Sequence, residues 1–182
     1  MQRVRFCDDA GWQPKLTGKN ALRSWLQERG SLTARLKRQY ADFSVQLARE
    51  AWRKPHLDET HLLRLPRATH AWVREVWLVG DGQPRVFAHS VIARTDLRGP
   101  WYGLRKIGRL PLGTALFANP EVTRGVLHFR QLNASHPLHK ALSASFPVSR
   151  QQRLWARRSL FCLGRHHLLV TEVFLPSMLQ HP

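Results

Sequence analysis

Residues 69–93 read THAWVREVWLVGDGQPRVFAHSVIA. Two β-rich runs, Thr69–Val79 and Arg85–Ala93, flank Gly80-Asp81-Gly82-Gln83-Pro84, and this turn chemistry predicts an antiparallel hairpin. Downstream, Val122–Leu132 and Leu154–Leu163 read as further strands, and Gly164-Arg165-His166 turns the latter into His167–Leu175. Upstream, Phe43, Val45 and Leu47 alternate with Asp42, Ser44 and Gln46, which makes Phe43–Trp52 a strand. Leu22–Leu26 is a short helix, and Leu32 and Leu36 recur at helical spacing in Leu32–Tyr40, with Ser31 as the natural N-cap. Thr114–Ala118 and a piece around Leu138–Ser143 are the other helical segments, whereas Pro55–Pro66 and the rest of Asn133–Gln152 are expected to be loop. The sum is an α+β fold with a single antiparallel sheet, in one domain over residues 1–182.

With 182 residues and 43% hydrophobic content, the chain can bury one substantial core. Cys7 and Cys162 lie far apart without a C-x-x-C pairing, so neither a disulfide framework nor a four-thiolate zinc site is expected. No eighteen apolar residues run together and the N-terminus lacks an apolar signal core, which predicts a cytoplasmic protein with no transmembrane segment. The net charge of +17 favours anionic partners. The basic residues are nevertheless dispersed, as in Arg35, Lys37 and Arg38, Arg105, Lys106 and Arg109, or Arg150, Arg153, Arg157 and Arg158. They read as a solvated basic surface rather than a specific nucleic-acid site.

The signatures G-x-S-x-G, H-E-x-x-H and G-x-x-x-x-G-K-[ST] are all absent, which removes the common hydrolase, zinc-protease and nucleotide-phosphate classes. Cys162, His166 and His167 lack a matching second pair of ligands, so no metal is expected. Two charged residues stand out instead. Alternation puts Arg74 on one strand face with Trp72, Val76 and Leu78, and Glu172 on one face with Leu168, Val170 and Phe174. A buried, unpaired charge costs several kcal/mol, so each should meet a partner or a ligand. A structural salt bridge and an outward-facing charge are the alternatives. The first-turn N–H groups of Leu32 and Thr33, and of Leu112 and Gly113 after Pro111, are two further donor sets suited to carboxylates or phosphates.

Ser31-Leu32-Thr33, Trp72-Val73-Arg74-Glu75, Gly80-Asp81-Gly82-Gln83-Pro84, Leu110-Pro111-Leu112-Gly113, Leu154-Trp155-Ala156-Arg157-Arg158-Ser159 and Thr171-Glu172-Val173-Phe174-Leu175-Pro176 occur in the order seen in the chorismate pyruvate-lyase family, which the chain resembles over nearly its whole length. The resemblance implies a sheet of about six strands flanked by helices, and a ligand enclosed beneath helical flaps. It also implies conversion of chorismate into 4-hydroxybenzoate and pyruvate for ubiquinone biosynthesis, by a monomer with no metal or organic cofactor. Carried over by position, Arg74 would grip the ring carboxylate with help from the backbone N–H groups of Leu32 and Leu112, and Glu172 would meet the 4-hydroxyl. His89 stands where members often carry arginine, and Ala93 where proline is usual. The rival readings are a non-catalytic small-carboxylate sensor of the same fold, although no helix-turn-helix segment is legible, and a basic nucleic-acid-binding protein.

Overall fold

The computed structural model describes residues 11–66, 68–108 and 110–179, so Cys7 and Arg109 lie outside the described residues. Seven strands form one antiparallel sheet: β1 (Phe43–Arg53), β2 (Ala71–Gly80), β3 (Gln83–Ile92), β4 (Val122–Arg124), β5 (His128–Leu132), β6 (Leu154–Leu163) and β7 (His166–Phe174). Their order is β1-β2-β3-β7-β6-β4, with β5 also paired to β6. Six short α-helices accompany them: α1 (Arg23–Leu26), α2 (Leu32–Gln39), α3 (Leu57–Leu62), α4 (Arg94–Arg98), α5 (Leu112–Ala118) and α6 (Pro137–Ser143). Among the described residues no helix is long and apolar enough to cross a membrane.

The hairpin that organises the sheet is tighter than its five turn residues suggest. Asp81 and Gly82 both take positive φ (51° and 72°), so two residues suffice to reverse the chain and Gly80 pairs with Gln83. Pro84 consequently enters β3, accommodated by an irregularity in register at Leu78/Val79. Gly80 is required for packing: a Cβ there would lie 2.4 Å from Cγ of Tyr40.

The expected strand over residues 122–132 is two strands rather than one. Gly125 interrupts it where its N–H donates to the Leu160 carbonyl at 2.8 Å, and a Cβ at Gly125 would crowd that oxygen at 3.2 Å. This break is why the sheet has seven strands and not six. The expected loop over residues 55–66 contains α3, whose start is unusual: the Glu59 carboxylate accepts the backbone N–H of His56 at 2.9 Å. The short α4 was also outside the sequence expectation.

Strand pairing aligns side chains in rows across β2, β3, β7 and β6. On one face, Trp72, Ile92, Leu168 and Phe161 form an apolar row, followed by Arg74, Ser90, Val170 and Ser159, then Val76, Ala88, Glu172 and Arg157. A second apolar row of Leu78, Val86 and Phe174 follows. Helices α1 and α2 pack on that end through Leu26, Leu32 and Leu36, while α5 packs on the other end through Leu112 and Leu116. The opposite face carries Val73, Val91, Leu169 and Leu160 beneath Leu62 of α3, and Phe87, Val173 and Ala156 beneath Leu138 and Leu142 of α6. Both faces of β2, β3 and β7 are therefore covered, which explains their nearly unbroken burial.

Candidate active site

The two polar rows between the apolar rows line a cavity roofed by the starts of α2 and α5. Its walls include Arg74, Ser90, Glu172, Arg157 and Arg124 from the strands, and Leu32, Thr33, Leu112, Gly113 and Phe117 from the helices. The space not filled by atoms, its solvent-facing mouth included, is about 530 Å³, of which only about 40 Å³ is free to a water-sized molecule. The two helix starts nearly touch: a Cβ on Gly113 would lie 3.1 Å from Ser31 Oγ and 3.4 Å from Thr33 Oγ1. Ser31 caps α2 by accepting from the Ala34 N–H at 3.2 Å, while the N–H groups of Leu32 and Leu112 have no intrahelical acceptor.

Arg74 is fully buried on β2. Its Nη2 donates to the carbonyls of Gly108 (2.8 Å) and Leu110 (3.2 Å), just before α5, and Nε lies 4.0 Å from Glu50. Nε itself has no hydrogen bond. Burial lowers the pKa of this guanidinium, with Glu50 opposing the shift. Arg74 thus anchors the approach to α5 while one edge of its fork remains unsatisfied.

Glu172 sits two strands away on β7, about 10 Å across the sheet at normal strand spacing. Its Oε2 accepts from Nε of Arg157 at 2.5 Å. Arg157 has no exposed surface, and its Nη1 also donates to the carbonyls of Trp25 (3.0 Å), Leu26 (3.3 Å) and Glu28 (2.7 Å). The ion-pair alternative to a ligand-facing role is therefore present in part: Glu172 has an arginine partner, yet it lines the cavity and keeps Oε1 free of hydrogen bonds to the described protein. Arg74 and Glu172 do not pair with each other.

Arg157 and Arg124 are cavity residues that the sequence reading missed. In a chain of net charge +17, Arg157 read as one more solvated cation and Arg124 was not singled out, whereas Arg157 and its neighbour Arg158 are both buried. The available signal was periodicity, since alternation puts Arg157 on one strand face with Trp155 and Phe161 inside Leu154–Leu163. Arg124 donates from Nε to Ser159 Oγ (2.8 Å) and from Nη1 to the carbonyls of Arg29 (3.0 Å) and Gly30 (3.3 Å). Burial brings its pKa down to about 10, and neighbouring Arg157 adds to that while Glu172 opposes it.

The far side of the sheet holds a separate charged cluster. His89 lies between two carboxylates, Nε2 3.0 Å from Glu59 Oε1 and Nδ1 3.1 Å from Glu75 Oε1. Burial pushes its pKa down, but the two carboxylates outweigh that and hold it at about 10. Burial likewise pushes Glu59 up, and His89 more than reverses this, to about 2. The imidazolium so formed has a carboxylate at each nitrogen. His56, stacked on His89 with ring centroids 5.5 Å apart, completes the one group of potential metal ligands among the described residues. Cys162, His166 and His167 do not form such a group; the Asp96 carboxylate instead engages His166 Nδ1 (2.9 Å) and the backbone N–H of His167 (2.9 Å).

A family model described as chorismate lyase matches residues 7–181. Among curated relatives, a protein of Thiobacillus denitrificans named "Probable chorismate pyruvate-lyase" is 48% identical over 93% of this chain and 90% of its own length. A protein of the same name from Methylobacillus flagellatus is 43% identical over 94% of this chain and 96% of its own. Among solved structures, the C-terminal domain of the histidine utilization repressor from Pseudomonas syringae pv. tomato superimposes with a TM-score of 0.55 at 10% identity, over 78% of this chain and 96% of that one. A GntR-family transcriptional regulator from Bacillus cereus gives 0.55 at 9% identity, over 77% and 96%. Those two likenesses concern the fold alone. The match along almost the entire sequence, together with relatives above 40% identity, establishes that this chain belongs to the chorismate lyase family.

Proposed function

We propose that the protein removes pyruvate from chorismate to yield 4-hydroxybenzoate, with the cavity between α2, α5 and the sheet as the active site and no cofactor. The single observation that carries this reading is that a buried arginine with an unsatisfied Nε and a carboxylate line one cavity in a chain of this family. In the reaction the ether bond at ring carbon 3 breaks, the hydrogen at carbon 4 leaves as a proton, and the released enolpyruvate takes up a proton to become pyruvate. The ring becomes aromatic, so the chemistry is downhill and the protein has mainly to position the substrate.

Arg74 takes the ring carboxylate through its unsatisfied edge, and the N–H groups of Leu32 and Leu112 complete the grip. Glu172 is the carboxylate among the described cavity residues; its free oxygen meets the 4-hydroxyl and stands next to the carbon that loses its proton. Arg157 fixes the other oxygen and so sets the direction of the free one. The apolar walls contributed by Val76, Val170 and Phe161 exclude water and strengthen these contacts.

Incubating the protein with chorismate and following 4-hydroxybenzoate by absorbance tests the reading. Product formation that persists after treatment with a chelator is expected. Binding of 4-hydroxybenzoate without turnover of chorismate would instead favour a sensor built on the fold shared with the transcriptional regulators.

A further inference from the structure

We propose that Arg124 and Arg157 form a second anion subsite, which takes the carboxylate of the enolpyruvyl arm and so selects a dicarboxylate over a monocarboxylate. The inference rests on the chorismate reading above. Its starting point is charge: the described cavity residues include three guanidinium groups, of Arg74, Arg124 and Arg157, against the single carboxylate of Glu172. The surplus of two positive charges matches a ligand with two carboxylates, and one such group on Arg74 leaves half of it unanswered.

Position decides where the second carboxylate belongs. With the ring carboxylate on Arg74 and the opposite hydroxyl on Glu172, the substituent at carbon 3 lies beside Glu172. Arg157 is the cross-strand neighbour of Glu172, and Arg124 reaches Ser159 on the same strand as Arg157. Both guanidinium groups therefore stand at the end of the cavity where the arm projects. Arg157 Nη2 is enclosed and has no hydrogen-bond partner, although the rest of its fork makes four. Arg124 is pinned at Nε and Nη1, with its guanidinium carbon 5.8 Å and 5.2 Å from the ring centres of Phe117 and Phe161, and its Nη2 makes no hydrogen bond among the described residues. Two open N–H edges on immobilised arginines form a preorganised carboxylate receptor. The competing explanation is that both arginines only fasten the segment from Trp25 to Gly30 to the sheet.

Calorimetric titration with 4-hydroxybenzoate and with 3-(carboxymethoxy)-4-hydroxybenzoate, a stable aromatic mimic carrying the second carboxylate, separates these. The wild-type protein should bind the dicarboxylate at least about tenfold more tightly. In Arg124→Gln that preference should vanish while affinity for 4-hydroxybenzoate changes less than about threefold, and kcat/KM for chorismate should fall on the order of 100-fold. Should Arg124→Gln fold poorly in a thermal melt, Arg124→Lys, which keeps the charge and loses the fork, should give a partial loss of the same preference. No preference in the wild-type protein, or a preference undiminished in these variants, overturns the subsite. A wild-type protein that does not turn over chorismate overturns the underlying reading, and the titrations distinguish the two failures.

Discussion

The two faces of the central sheet bury comparable charge and differ in how completely it is matched. On the far face, His89 is held between Glu59 and Glu75, and Arg158 Nη1 reaches Asp58 at 2.7 Å. On the cavity face, the guanidinium groups of Arg74, Arg124 and Arg157 share the lining with the single carboxylate of Glu172. Burial of charge marks neither face as functional, because both rows are equally hidden. The balance of charge makes the distinction: cations matched by carboxylates fasten helices to a sheet, and a surplus of cations beside a cavity awaits an anion.

The sharpest way to break this comparison is to remove the central charge from each face in turn. On the cavity side, Arg74→Ala should lower kcat/KM for chorismate by about a thousandfold, equivalent to about 4 kcal/mol, while thermal melting shows the protein still folded. Near-normal turnover at low chorismate would make Arg74 part of the scaffold. On the far side, His89→Leu leaves Glu59 and Glu75 facing each other without the cation, at a cost of about 3 kcal/mol read from denaturant unfolding. The folded fraction of that variant should turn over chorismate at close to the normal rate. If its activity collapses while stability holds, the far row belongs to the functional machinery and the contrast fails.

Glu172→Gln is a finer probe, because Glu172 belongs to both worlds. Arg157 keeps its three carbonyl acceptors in this variant, so the stability loss should be about 1 kcal/mol. Turnover should drop on the order of 100-fold if the carboxylate handles a proton or fixes the hydroxyl. A large loss of stability with normal turnover in the folded fraction would move Glu172 to the scaffold.

The smallest expected effect is a pH slope. His89 has its pKa raised from 6.5 to about 10 by its two carboxylates, so its contribution to stability is complete below about pH 6.5 and is lost as pH rises through about 10. Glu59 is shifted the other way, from 4.5 to about 2, and its contribution is present above about pH 4.5 and lost as pH falls through about 2. Melting temperatures between pH 7 and 10 should therefore fall more steeply for the wild-type protein than for His89→Leu. Parallel curves would show that the far-face cluster is not held by this imidazolium.

Much of this arrangement was legible in the residues. Asp81-Gly82 announces the hairpin because few other pairs accept two positive φ values in succession, and period-two alternation marks Arg74 and Glu172 as charges among apolar neighbours. The starts of α2 and α5 at the cavity follow from Ser31 and Pro111. Helix α3 escaped because its start relies on a His56 and Glu59 exchange rather than a Ser or Thr cap, and two prolines frame the segment. Arg124 and Arg157 escaped because most of the acceptors that hold them are backbone carbonyls, which carry no signature in a sequence. The break at Gly125 depends on the approach of the Leu160 carbonyl, a tertiary fact.

Adjacent positions on these strands carry opposite or differently matched charges: Arg74 beside Glu75 on β2, and Arg157 beside Arg158 on β6. A slip of one residue in the pairing of β2 would turn Glu75 into the cavity beside Glu172 and send Arg74 beneath α3. Each mispaired sheet would confront like charges or strand a cation in a dry interior. The same residues that prepare the cavity for an anion thus act as a proofreading device during folding, rejecting registers that hydrophobic residues on both faces of the strand would otherwise tolerate.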